Sequence, residues 1–357
     1  MISIKDVNQI WLILVLTHMA GSLTAAYVQL IPGGGLAVSF AAGLAAGWLV
    51  CGEKWYKAAA SGILSACLFR LACRGLPTGY RASLCLLMIE MVLILWIQAK
   101  NNISIRSYCR IRGLSPVQIP AVVLAGGLMY IFCAYFNAWS MLIFRNYVGE
   151  SLTAVNRNLV GSLLIFALFP AVVEEIFFRG IFFRGMGASR AAVAAAALLF
   201  ALMHMNFNQM CYALAAGFAL GTVVWITDNL TISMVMHFVF NGVSVLITNW
   251  GDTALVGKLL QIRIGSYAPL MPVLFEEGHP VISSIGTGLA AALLSLAAII
   301  FLVRTGTAKE TGDSPAFPEG AALCTEDSTA SPVWTGPDWR MLLGCGLCIF
   351  FALAREL

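Results

Sequence analysis

The stretch from Asn158 to Arg184, NLVGSLLIFALFPAVVEEIFFRGIFFR, decides how this chain is read. Crossing a bilayer takes about 20 mostly apolar residues, and this run is longer than that. Its interior nevertheless carries Glu174, Glu175 and Arg179. Ionisable groups in hydrocarbon are expensive and mark functional sites. On a helix, Glu175 and Arg179 stand four apart with the acid N-terminal, the better orientation for a pair. Glu174 is turned about 100° away from Glu175 and is directed elsewhere.

The rest of the chain agrees that lipid is the solvent. Of 357 residues, 60% are hydrophobic and 11% charged, with a mean hydropathy of +0.87. A soluble domain carries about 25% charged residues, so the surface itself must be apolar. Windows suited to spans lie at 9–30, 36–51, 57–75, 82–99, 119–143, 158–184, 190–207, 209–227, 229–249 and 283–303. The expected fold class is all-α, a polytopic transmembrane helical bundle of about 10 spans. The apolar run that starts at Ile10 has no convincing cleavage site after it, so it reads as a first span and not as a removed signal peptide. Lys100, Arg106, Arg110 and Arg112 place their loop on the cytoplasmic side. Six spans later Arg304 and Lys309 return to that side, and Arg184 and Arg190 fit it too. The net charge of +4 is too small for a nucleic-acid surface. Cys345 and Cys348 lie in an apolar run and read as packing residues.

Four sections follow. Residues 1–116 form an N-terminal transmembrane section of about four spans without a chemical motif, and 117–304 hold the polar core. Residues 305–338, rich in Pro, Gly, Ser, Thr and acids, read as a flexible cytoplasmic linker. Residues 339–357 are a short C-terminal hydrophobic segment that spans or lies at the surface.

Two more polar sets sit in neighbouring spans: Phe200 with His204, and His237 with Asn241, each four apart and so on one helix face. Counted at 1.5 Å per residue, Glu174 lies about 15 Å from the end near Arg184, and His204 about 21 Å from Arg190. His237 and Asn241 lie about 13 and 19 Å from Asp228. All fall near the middle of a core about 30 Å thick. Taken singly, Glu175 with Arg179 reads as a buried structural pair, and either histidine as a satisfied core group. The shared depth of three sets favours a joint site.

The three sets in order resemble the CPBP family of intramembrane proteases. That family includes the type II CAAX prenyl endopeptidases, called Rce1-like, and the Abi or bacteriocin-immunity proteins. The patterns are two glutamates, three residues, arginine; phenylalanine, three residues, histidine; and histidine, three residues, asparagine or aspartate. Gly180 after the arginine also fits, and the likeness covers about residues 119–303. The resemblance implies an all-helical core with a cavity, and peptide hydrolysis in a membrane-associated protein or peptide substrate. It implies Glu174 as the base that activates water, helped by His204. His237 and Asn241 would donate to the oxyanion, with Glu175 and Arg179 in support. No metal or other cofactor is expected; a divalent metal on Glu174, His204 and His237 stays open, since these are normal ligand types.

A carboxylate that takes and returns a proton, with donors aimed at an oxyanion, suits amide hydrolysis independently. HExxH, a serine elbow and paired intramembrane aspartates are all missing. The expected protein is a multi-pass enzyme of the cell membrane, with the bilayer and a peptide substrate as its partners. A non-catalytic immunity or scaffold protein of the same fold is the alternative. A proton-relaying transporter would need two related halves, and none is visible in the sequence.

Overall fold

The computed structural model describes residues 2–30, 34–51, 55–72, 78–145, 158–250, 263–264, 268–269, 293–294, 296–297, 299–301 and 336–356. These residues are helical apart from turns and one two-residue antiparallel pairing, β1 (Arg263–Ile264) with β2 (Ala268–Pro269). The N-terminal part contains α1 (Ile4–Leu30), α2 (Gly34–Cys51), α3 (Trp55–Ala72), α4 (Thr78–Asn101) and the single turn α5 (Ile105–Tyr108). Then come α6 (Gln118–Ser140), α7 (Leu159–Gly185), α8 (Arg190–Met203), α9 (Phe207–Thr227) and α10 (Leu230–Trp250). The C-terminal segment forms α11 (Trp339–Glu356).

Five helical stretches among the described residues are long and apolar enough to cross a membrane: 83–101 of α4, α6, α7, α9, and 230–247 of α10. The protein is an integral membrane protein of all-helical class; against the expected count of about ten spans, the described residues hold five. The window 283–303 lies mostly outside the described residues, as does the linker, of which only 336–338 are described.

The window 190–207 is corrected. Its helix, α8, has 14 residues, about 21 Å, which is short of a full crossing. The chain breaks there because Met205 adopts a left-handed φ of 48°. Asn206 then caps α9 by accepting from the Gln209 N–H. Turns are tolerated within a membrane protein only where other groups satisfy them. Ser140 at the end of α6 supplies that, its hydroxyl donating to the Asn208 carbonyl at 3.2 Å, while the Asn208 side chain donates to Ser140 Oγ at 2.7 Å and to Asn137 Oδ1 at 3.2 Å.

α7 is not a uniform α-helix. It widens to π geometry at Leu163–Leu168 and again at Ile176–Phe182. Pro170 follows the first wide turn. A proline ring collides with the carbonyl four residues back, and a locally wider turn relieves that clash. The second wide turn starts directly after Glu175 and carries Arg179.

Charges gather at one end of the bundle. Asp228 takes Arg112 and Arg184, each at 2.9 Å, and Lys100 meets Asp6 at 3.1 Å. The basic loop, the α9–α10 turn and the start of α1 therefore share one face, which the positive-inside rule assigns to the cytoplasm. α11 packs on α1, where the Trp11 indole N–H donates to the Met341 carbonyl at 3.2 Å. One apolar cluster joins Trp11 of α1, Ile97 of α4, Phe178 of α7, Phe200 of α8 and Cys348 of α11. The N-terminal helices and the polar core are thus packed on each other.

Candidate active site

The site grows from the ion pair that α7 makes with itself. Arg179 Nη1 donates to Glu175 Oε1 at 2.7 Å, and both side chains are 0% exposed. The guanidinium also donates to the Gly217 carbonyl of α9 at 3.4 Å. It lies 4.3 Å from the centre of the Phe200 ring of α8, a cation–π contact that gains strength away from water. Gly217 is placed for this by close packing, since a Cβ there would lie 2.9 Å from Ala197 of α8. One buried arginine thereby ties α7, α8 and α9 together.

Glu175 has a second partner. Its Oε1 also stands 2.9 Å from Nδ1 of His237 on α10. A carboxylate held by arginine can only accept, so Nδ1 of His237 carries a proton. The other face of that ring, Nε2, lies 3.8 Å from Glu174 Oε2. His237 therefore sits between the two glutamates. Glu174 keeps 27% of its side chain exposed, whereas Glu175 has none. Only Glu174 is open to a substrate.

His204 follows the last residue of α8. Its Nδ1 stands 2.7 Å from the Phe200 carbonyl. A carbonyl also only accepts, so Nδ1 carries the proton and Nε2 is left with a lone pair. The Phe200 ring packs edge-on against His204, centroids 4.9 Å apart, and against His237 at 5.8 Å. Phe200 is thus the spacer that sets the two imidazoles apart.

Glu174, His204, His237 and Asn241 all line one cavity of about 620 Å³. Every residue picked from the sequence is accordingly at or directly behind this cavity. Among the described residues, no three of His, Cys, Asp and Glu are grouped so as to hold a metal ion. Both histidines spend Nδ1 on protein acceptors, which leaves Nε2 of each as the ring nitrogen that a substrate or a metal would use.

Among the lining residues that escaped the sequence reading are His18 of α1 and Glu90 of α4. Nδ1 of His18 lies 3.2 Å from Glu90 Oε1. The signal was present, since each is an ionisable residue alone in an apolar window, but neither has a partner within its own helix.

Gly180 has a local reason. A Cβ there would lie 2.5 Å from Cys109 Sγ, so the loop after α5 closes against α7 at this point. Burial pushes the Cys109 thiol up to about 12, and it packs there as a neutral apolar group.

Residues 156–243 match the family described as Type II CAAX prenyl endopeptidase Rce1-like. Nothing matches among curated proteins or solved structures. The CPBP and Rce1-like resemblance holds from α7 to Val243 of α10, a stretch that contains all seven residues of the three patterns. It is narrower than the 119–303 read from the motifs, and His18 and Glu90 fall outside it.

Proposed function

We propose that this protein is an intramembrane endopeptidase of the cell membrane, in which Glu174 activates water against a peptide bond of a membrane-associated substrate. A prenylated CAAX-type chain end fits the name of the matched family; bacteriocin- or pheromone-related peptides are the other substrate class in view. The observation that carries the reading is the shared cavity. One open carboxylate, two imidazoles and an amide line it, inside helices that face lipid.

The roles follow from the hydrogen bonds. Glu174 takes one proton from a water, whose oxygen bonds to the scissile carbon. His204 offers its Nε2 lone pair to the same water and orients it, because its own proton is held by Phe200. The carbonyl oxygen becomes an oxyanion. Asn241 donates to it from its amide, and His237 donates from Nε2 when doubly protonated. Glu175, held by Arg179, fixes the orientation of that ring by accepting from Nδ1. Glu174 then passes its proton to the departing nitrogen as the C–N bond breaks, the usual double duty of a carboxylate. In a dry cavity such donors are worth about 3–4 kcal/mol each. No step needs a cofactor.

The test compares membrane proteomes of cells carrying the wild type or Glu174→Gln at equal expression. New chain termini should appear with the wild type alone. Identical termini in the two would turn the reading toward a binding-only protein of the same fold.

A further inference from the structure

Besides the motif residues, the cavity has a second polar part of its wall. It consists of His18 on α1 and Glu90 on α4, from helices outside the family match. Their depth agrees with that of the reacting residues. Lys100 meets Asp6 at the basic end. Glu90 stands ten residues from Lys100, about 15 Å, and His18 twelve from Asp6, about 18 Å. Glu174 lies about 15 Å from its own basic end by the same count. Glu90 and Glu174 are near enough for their charges to act on one another, and so are His18 and His204.

The pair is not spent on structure. Glu90 is 4% exposed and lies 3.2 Å from His18 Nδ1, yet the two are not aligned as a hydrogen bond, and this buried nitrogen has no hydrogen-bond partner among the described residues. An unpaired polar atom at such a depth is costly. In any protonation state an imidazole and a carboxyl group carry between them at least one donor and one acceptor, and both side chains line the cavity. A peptide group presents the complement, one N–H and one C=O. A chain drawn into a membrane interior must have those groups satisfied by protein, because lipid offers nothing.

We propose that His18 and Glu90 form a substrate subsite that takes one backbone peptide group next to the scissile bond, so that the N-terminal helices complete the site. The proposal rests on the peptidase reading. The motif wall does the chemistry, and the α1–α4 wall fixes the register of the peptide.

The test uses the full chain in nanodiscs with a mixed peptide library made by digesting a whole-cell proteome. Kinetics are then measured on the best-cleaved peptide, resynthesised. Glu90→Leu should raise KM about ten-fold, as for the loss of one buried hydrogen bond, with kcat unchanged. Glu90→Gln, which still offers an acceptor and a donor, should restore most of the affinity. N-methylation of one backbone amide beside the cleaved bond should cost the wild type about as much as Glu90→Leu does, and cost Glu90→Leu itself nothing further. Leucine leaves no stranded charge on α4, and a thermal unfolding midpoint no lower than the wild type's shows that the fold is kept. The subsite is overturned if Glu90→Leu matches the wild type, if kcat falls while KM holds, or if Gln is as impaired as Leu. Failure of the wild type to cleave any library peptide overturns the peptidase reading, and the subsite with it, before any variant is compared.

Discussion

The two walls of the cavity are built by different rules. On the motif wall, Arg179 serves Glu175, Gly217 and Phe200, while Glu175 serves Arg179 and His237. Each group has its orientation set by a neighbour on another helix. On the α1–α4 wall, His18 and Glu90 have, among the described residues, each other at 3.2 Å without a hydrogen bond between them. A reacting group must be held within a fraction of an ångström, whereas a group that grips a flexible chain needs only to be near it. The contrast assigns chemistry to one wall and binding to the other.

The sharpest way to break that contrast is Glu174→Gln. Losing the base should lower kcat by about 10²–10⁴, with KM and the thermal unfolding midpoint little changed. A Gln variant that keeps turning over would take Glu174 out of the chemistry and leave the two walls equivalent.

Arg179→Ala comes next and acts on the fold. It strands Glu175 without its counter-charge at 0% exposure, a loss of about 3–5 kcal/mol. Unfolding in detergent should show it as reduced stability and yield. Replacing Glu175 and Arg179 together by leucine should recover most of the stability but not the activity, because His237 then loses the acceptor on its Nδ1. If the double variant is both stable and active, the ion pair does not orient His237.

What was legible from the sequence divides along the same line. Glu175 with Arg179, Phe200 with His204, and His237 with Asn241 are pairs within one helix, and 3.6-residue spacing displays them. The bond between Glu175 and His237 joins α7 to α10, and no spacing encodes it. His237 was therefore read as an oxyanion donor alone, without its place between the two glutamates. His18 and Glu90 were missed for the same reason, being partners only across helices. The end of α8 was misplaced because Met203, Met205 and Phe207 keep the run apolar across a turn. A capping signal was available there: Asn206 followed three residues later by Gln209, an amide-bearing variant of the capping box. Hydropathy counts greasiness, not backbone direction, and so passed over it.

Asn241→Ala should be milder than loss of the base. Removing one oxyanion donor costs about 10²–10³ in kcat and leaves KM unchanged. Steady-state kinetics on one peptide check it. A rise in KM at constant kcat would move Asn241 from the chemistry to binding, onto the side of the cavity now assigned to His18 and Glu90.

The smallest effect tests how the motif wall is held from behind. Gly180→Ala places a methyl 2.5 Å from Cys109 Sγ, and overpacking of that kind costs about 1–3 kcal/mol. Cys109 is 0% exposed, so its sulfur cannot swing out to solvent. The second wide turn of α7, which carries Arg179, must shift in its place. Gly180→Ala should therefore lower the unfolding midpoint and also reduce kcat, through the chain from Arg179 to Glu175 to His237. Cys109→Ala removes the obstructing sulfur, and adding it to Gly180→Ala should return both quantities toward the wild type. A double variant as impaired as Gly180→Ala alone would mean that the loop after α5 does not brace the catalytic turn. The precision of the motif wall would then have to come from α8, α9 and α10 alone.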